Sequence, residues 1–182
     1  MGHNRARFFP ENESVFRIDH DQNFQQTTNA RYQWKKGGPW AGVTWRYDSG
    51  LVAGSVSTLA DALSLTPAEQ AAIGFFCGNQ VATPSNGITS CNSNFGATRL
   101  RIPAEGTADN DRNPARIAPR HIFDIGIGTD DLLNRQEPSH IKLRFTISNL
   151  TNKVALYNFH STFSGTHFVA PRTYSGAIGF LF

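Results

Sequence analysis

Alternation with a period of two organises both ends of the chain. Over 24–35 the even positions read Phe24, Gln26, Thr28, Ala30, Tyr32 and Trp34. The odd positions, Gln25, Thr27, Asn29, Arg31, Gln33 and Lys35, include no apolar residue. Side chains of a strand point alternately to its two faces, so this run predicts one apolar and one polar face. Lys36-Gly37-Gly38-Pro39 is a turn signal. Over 40–48, Ala41, Val43, Trp45 and Tyr47 stand against Gly42, Thr44, Arg46 and Asp48, and the two runs predict a hairpin. Alternation returns over 120–129 with His121, Phe123, Ile125 and Ile127. Over 140–149, Ile141, Leu143, Phe145 and Ile147 stand against Lys142, Arg144, Thr146 and Ser148. The final strand, 171–182, puts Tyr174, Ile178, Phe180 and Phe182 on one face, with Leu181 breaking the pattern.

Between 48 and 119 the alternation disappears. Thr66-Pro67-Ala68-Glu69 is a capping box with Pro at the first helical position, which predicts a short helix over 67–73. The stretches 83–94 and 103–119 hold several Pro, Gly, Asn and Asp and predict turns. A connection of about 70 residues is far longer than connections within a compact domain. The connections alternate in length: short (36–39), long (49–119), short (130–138), medium (149–170). Outer-membrane barrels have short periplasmic turns, long extracellular loops and aromatic girdles at both interfaces. With the C-terminus periplasmic, Tyr32 and Trp34 fall beside a periplasmic turn, and Trp45 and Tyr47 near the outer face. A soluble antiparallel sandwich alternates as well but has no reason to place aromatics at strand ends.

The expected fold is therefore all-β: an antiparallel transmembrane β-barrel fragment of about five C-terminal strands, with one long extracellular loop carrying a short helix. Residues 1–23 are expected to be an extracellular loop or an incomplete preceding strand. Arg31, Arg46, Lys142 and Arg144 are expected to face the lumen, and Leu143 and Phe145 the lipid. Five strands cannot close a membrane barrel, whose smallest examples have about 8. The chain is thus expected to be a fragment, or to complete its barrel with something else.

Composition agrees with this reading. The chain has 182 residues, 39% hydrophobic and 12% aromatic, but only 17% charged, against roughly 25% in an average soluble domain. No stretch approaches the ~18 apolar residues of a membrane-spanning helix. The mean hydropathy of −0.36 does not exclude a barrel, whose strands hide apolar content by alternation. The net charge of +3 comes from scattered residues, without the clustered basic face of a nucleic-acid partner. Cys77 and Cys91 lie in a polar stretch with too few further Cys or His for a zinc site. A disulfide in an oxidising compartment fits better, and two free thiols are the alternative. The N-terminus, MGHNRARFFPENES, lacks the apolar core of a signal peptide. For an exported protein, this leads us to expect a missing start or a chain cut from a longer one.

Three stretches carry a family resemblance. Pro171-Arg172-Thr173-Tyr174 followed by Ile178, Phe180 and a final Phe182 resembles the closing strand of TonB-dependent outer-membrane receptors. Phe145-Thr146-Ile147-Ser148-Asn149-Leu150-Thr151-Asn152-Lys153 is similar to the family's penultimate strand and following turn. Trp45-Arg46-Tyr47-Asp48-Ser49-Gly50 resembles an upper strand end of such receptors. The likeness covers roughly residues 16–182 and is most specific in the C-terminal third. It implies a 22-stranded barrel in the outer membrane of a Gram-negative cell, plugged by an N-terminal domain. It also implies an assembly signal at Tyr174, Ile178, Phe180 and Phe182. The implied partners are outer-membrane lipid, the rest of the same receptor barrel and plug, and the outer-membrane assembly machinery. TonB is a partner only through the missing N-terminal region.

Other signals have plainer readings. Asp109-x-Asp111-x-Asn113 has the opening spacing of a calcium loop, but Pro114 replaces the needed Gly and Arg120 the closing Glu, which favours an Asx-rich turn. Asp19-His20-Asp21 has no Gly-x-Ser-x-Gly partner and reads as a polar loop. Gly126-Ile127-Gly128 lacks the third Gly of a dinucleotide fingerprint. Asn149-Leu150-Thr151 reads as a turn, not a glycosylation site, and His160 and His167 as loop histidines, not a metal pair. No cofactor and no enzymatic activity are expected. The leading function is uptake of a scarce solute (metal chelate, cobalamin or glycan). A passive porin or structural outer-membrane protein, an outer-membrane enzyme and a soluble β-sandwich binding module are the alternatives.

Overall fold

The structure, a computed structural model, describes residues 5–6, 16–18, 20–54, 56–132, 140–161 and 164–181. It is mostly β, with antiparallel sheets. The chain divides into two compact units, one of 25–48, 120–154 and 170–182 and the other of 1–24, 49–119 and 155–169.

The first unit is a five-stranded meander. Its strands are β1 (Gln25–Gln33), β2 (Pro39–Asp48), β3 (Arg120–Thr129), β4 (His140–Ser148) and β5 (Thr173–Leu181). Their order in the sheet, β5-β4-β3-β2-β1, is their order in sequence reversed. The ends differ from expectation by a residue or two. Thus the Trp34 N–H donates to the Pro39 carbonyl (3.1 Å), drawing Pro39 in as the first residue of β2, a place where a strand tolerates proline. Gly37, at φ 74°, supplies the left-handed residue of that turn. The register aligns the alternation of all five strands, and one row across the sheet reads Ala30, Val43, Ile125, Ile147, Tyr174. The next row on the opposite face reads Arg31, Gly42, Gly126, Thr146, Ser175. Among the described residues no closed barrel forms, and β1 and β5 pair on one side only.

The second unit corrects two expectations. The stretch 49–119 is not simply a turn-rich loop with one helix, because it folds together with 155–169 around a core of its own. Val56, Ala62, Ile73, Phe75, Leu100, Ile117, Leu156 and Phe159 are all buried there. Val56 lies outside any helix or strand and the others come from short elements, so there is no room for a repeating pattern and periodicity could not reveal them. The expected helix, α2 (Pro67–Ile73), is present with its capping box and a left-handed Gly74 at its C-terminus. A helix the sequence reading missed, α1 (Leu59–Ser64), precedes it. Its signal was Thr58-x-x-Asp61, a capping box with Asp in place of the usual Glu or Gln. Short ladders complete the unit: Phe75–Cys77 with Gln80–Val81 and Phe95–Ala97, Leu100–Arg101 with Arg116–Ile117, and Leu156–Ser161 with Gly165–Phe168. Within 1–23, expected as a loop or partial strand, Arg5–Ala6 pairs with Phe16–Arg17, and Gln22 bridges to Leu51.

Buried Gln70 shows how this core tolerates polarity. Its amide donates to the carbonyls of Ala62 (3.1 Å) and Ile88 (2.9 Å) and accepts from the Ile88 N–H (2.7 Å). The Cys77–Cys91 disulfide is formed, with Cα atoms 5.8 Å apart, and closes the loop that carries Ile88.

Candidate functional site

The two faces of the sheet hold the features most suggestive of function. One carries Ala30, Tyr32, Ala41, Val43, Trp45, Tyr47, Phe123, Ile125, Ile127, Ile141, Leu143, Phe145, Ile147, Tyr174, Ile178 and Phe180, and none of these is buried. Ile178 is 66% exposed, Tyr174 61% and Phe180 60%. Gln26 and Thr28 on edge strand β1 interrupt this face at one corner, hydrogen-bonding each other (3.0 Å). Soluble proteins rarely leave so extended an apolar patch uncovered.

Aromatic residues gather at both ends of that face. Near the β1–β2 turn, Tyr32 and Trp34 meet edge to face with centroids 5.2 Å apart. Toward the other end, the Trp45 ring stacks against His121 at 5.8 Å and its Nε1 donates to His121 Nδ1 (3.1 Å). The Tyr47 ring lies 4.9 Å from the same imidazole.

The opposite face is polar. Arg31, Arg46, Lys142 and Arg144, the four basic residues singled out in the sequence, all lie on it. Arg46 donates to both carboxylate oxygens of Asp124 (2.8 and 3.1 Å), and Arg31 pairs with Asp130 (2.9 Å). Arg120 and Asp48, partners across β2 and β3, form a buried ion pair. The Trp40 indole lies over the glycines of β3. A Cβ on Gly128 would stand 2.7 Å from the indole Cζ2 and 2.3 Å from the Leu143 carbonyl oxygen, so only glycine fits there. This packing is the physical reason for Gly128, whereas a Cβ on Gly126 would meet the indole at an ordinary 3.4 Å.

Of the residues assigned to an assembly signal, Tyr174, Ile178 and Phe180 share the apolar face; Phe182 lies outside the described residues. Asp109 caps a turn, its Oδ1 accepting from the N–H groups of Asp111 and Arg112 (2.8 Å each). Those bonds hold its carboxyl below the usual range, the Arg112 N–H first. Asn149, buried at φ 50°, accepts from the Lys153 N–H (2.8 Å) and donates to the Lys153 and Ala170 carbonyls, the pattern of a turn. Asp21 pairs with Arg116 (3.0 Å); Asp19 lies outside the described residues. Among the described residues no group of His, Cys, Asp and Glu could hold a metal ion.

One contact in the second unit had no sequence signal. His160, strained at φ 48°, stacks on Phe159 (4.2 Å) with Nε2 2.8 Å from Glu69 Oε1. The other oxygen of Glu69 accepts from the Thr66 hydroxyl (2.6 Å) and N–H (2.9 Å). These bonds lower the Glu69 pKa, the Thr66 hydroxyl having the largest effect and His160 adding to it. His167 bonds Asn158 instead (3.2 Å), so each histidine has its own protein partner.

Among the described residues no helix is long and apolar enough to cross a membrane, which says nothing of strands. Comparison of the chain with protein-family models, with curated proteins and with solved structures finds no match.

Proposed function

We propose that the sheet is a section of an outer-membrane β-barrel wall, its apolar face against lipid and its polar face against the lumen. On this reading the chain is the C-terminal barrel part of a TonB-dependent receptor that imports a scarce solute. The observation that carries it is the uncovered apolar face of five strands, nine or ten residues each, with aromatics at both ends. A bilayer-crossing strand needs roughly 9–11 residues, and interfacial aromatics gain from having one apolar and one wet side. The choice of receptor over other barrels rests on the motif likeness at 145–153 and 171–182.

Two measurements on the full-length protein in its own cell test this reading. The chain should fractionate with outer membrane and leave it only with detergent; recovery in the soluble fraction defeats the barrel. Uptake of its solute should stop when the proton-motive force is dissipated. Uptake that persists makes it a passive porin.

A further inference from the structure

The polar face contains a hollow of about 250 Å³, lined among others by Asn29, Arg31, Trp40, Thr44, Arg144 and Thr146. The register explains it. Trp40 and Arg144 flank Gly128 in one row, while Arg31, Gly42, Gly126 and Thr146 form the next, so two glycines make the floor. Arg31 covers the indole at 4.4 Å, and the Arg144 guanidinium lies 5.9 Å from it.

The polar groups around this hollow are unequally satisfied. Asp124 also lines it, but its oxygens are taken by Arg46 and the Asn149 N–H. Arg31 is neutralised by Asp130. The Asn29 carbonyl oxygen accepts from the Thr44 hydroxyl (2.7 Å). What remains among the described residues is a set of donors: the exposed Arg144 guanidinium, which has no acidic partner, the Asn29 amide N–H groups and the Thr146 hydroxyl. A guanidinium presents a planar fork of donors that matches a carboxylate or phosphate.

We propose that this hollow binds a small hydroxylated anion. Arg144 holds its carboxylate or phosphate, Asn29 and Thr146 donate to its remaining oxygens, and the Trp40–Arg31 stack forms one wall. The site itself needs only the sheet; its setting in a lumen rests on the barrel reading above.

Titration of the full chain in detergent, read by tryptophan fluorescence, tests it with glucuronate, inorganic phosphate and neutral glucose as probes. Glucuronate and phosphate should quench saturably and glucose should not, and Trp40→Phe should remove the response. Arg144→Gln should weaken glucuronate about tenfold or more, the usual loss for a charge-assisted contact. Arg144→Lys should recover part of it. Lys142→Gln, two residues along the same face but outside the hollow, should change it less than about twofold. If Arg144→Gln does not fold, Thr146→Val carries the same test with a smaller loss. Equal titration by glucose and glucuronate, or unchanged affinity in these variants, overturns the site. Either result leaves the membrane reading untouched, and a soluble chain that still binds glucuronate defeats that reading alone.

Discussion

Arginine placed at Leu143 or Phe145 is the sharpest test of which medium covers the apolar face. Both residues lie on that face of β4, one position either side of the centre of His140–Ser148. At ~3.4 Å per residue and a tilt near 45° they sit within about 3 Å of the strand's mid-depth. Arginine on the lipid face costs roughly 2–4 kcal/mol at the midplane, about 30- to 700-fold in the folding equilibrium. In water the expectation is different. Phe145 is already 43% exposed, and substitution on a wet surface usually stays within about 0.5 kcal/mol. Position 146, on the polar face, provides the control: Thr146→Arg should cost little in either medium. Denaturant unfolding of the full-length protein in lipid vesicles measures all three. Equal tolerance at 143, 145 and 146 refutes the lipid-facing assignment, since only the side of the sheet differs between them.

The second unit offers further checks. Replacing Cys77 and Cys91 together by Ser should lower its stability by roughly 3 kcal/mol, the chain-entropy gain for a loop of this size, read as a fall in its melting temperature. Phe159→Ala should cost about 3–5 kcal/mol because its ring is fully buried in the core. Tyr157→Ala, at an exposed neighbouring position, should cost far less, and equal losses in denaturant melts refute the assigned core. Glu69 has a folded pKa below its ordinary 4.5. Its contribution is therefore present above that value and is lost as pH falls through the lowered one. Glu69→Gln should flatten the acid limb of the stability curve, leaving the part due to Asp109, and an unchanged limb refutes the role of the Thr66–Glu69–His160 contact.

The sheet was legible because its signal is redundant. Each strand repeats the same two-residue code, and a slip of one residue would exchange the faces of a whole strand, so pattern and register constrain each other. The place of Lys142 and Arg144 opposite Leu143 and Phe145 followed from that code alone. The second unit had no such redundancy. Phe75 belongs to a three-residue strand and Phe159 to a six-residue one, and 84 positions of sequence separate the two core residues. Nothing local announces that they meet. Trp40 marks the limit within the sheet: it is an aromatic on the polar face, and only its fit over Gly126 and Gly128 explains it.

The edges of the sheet constrain the reading from another direction. In an antiparallel strand every second residue turns its N–H and C=O toward the next strand. β1 and β5 have nine residues each, so each open edge leaves about four residues with both groups unpaired. In hydrocarbon every such group costs several kcal/mol. Two bare edges would then cost tens of kcal/mol, more than the roughly 5–15 kcal/mol that holds a whole domain together. A lipid-covered apolar face therefore cannot coexist with lipid-covered edges. If Leu143 and Phe145 prove to face lipid, β1 and β5 must each be paired by a strand from outside the described residues. In water the same edges lose little, because solvent satisfies them. The two possibilities differ in backbone hydrogen exchange: slow amides on the outer side of β5 in the full-length protein accompany a barrel, and fast ones there exclude it.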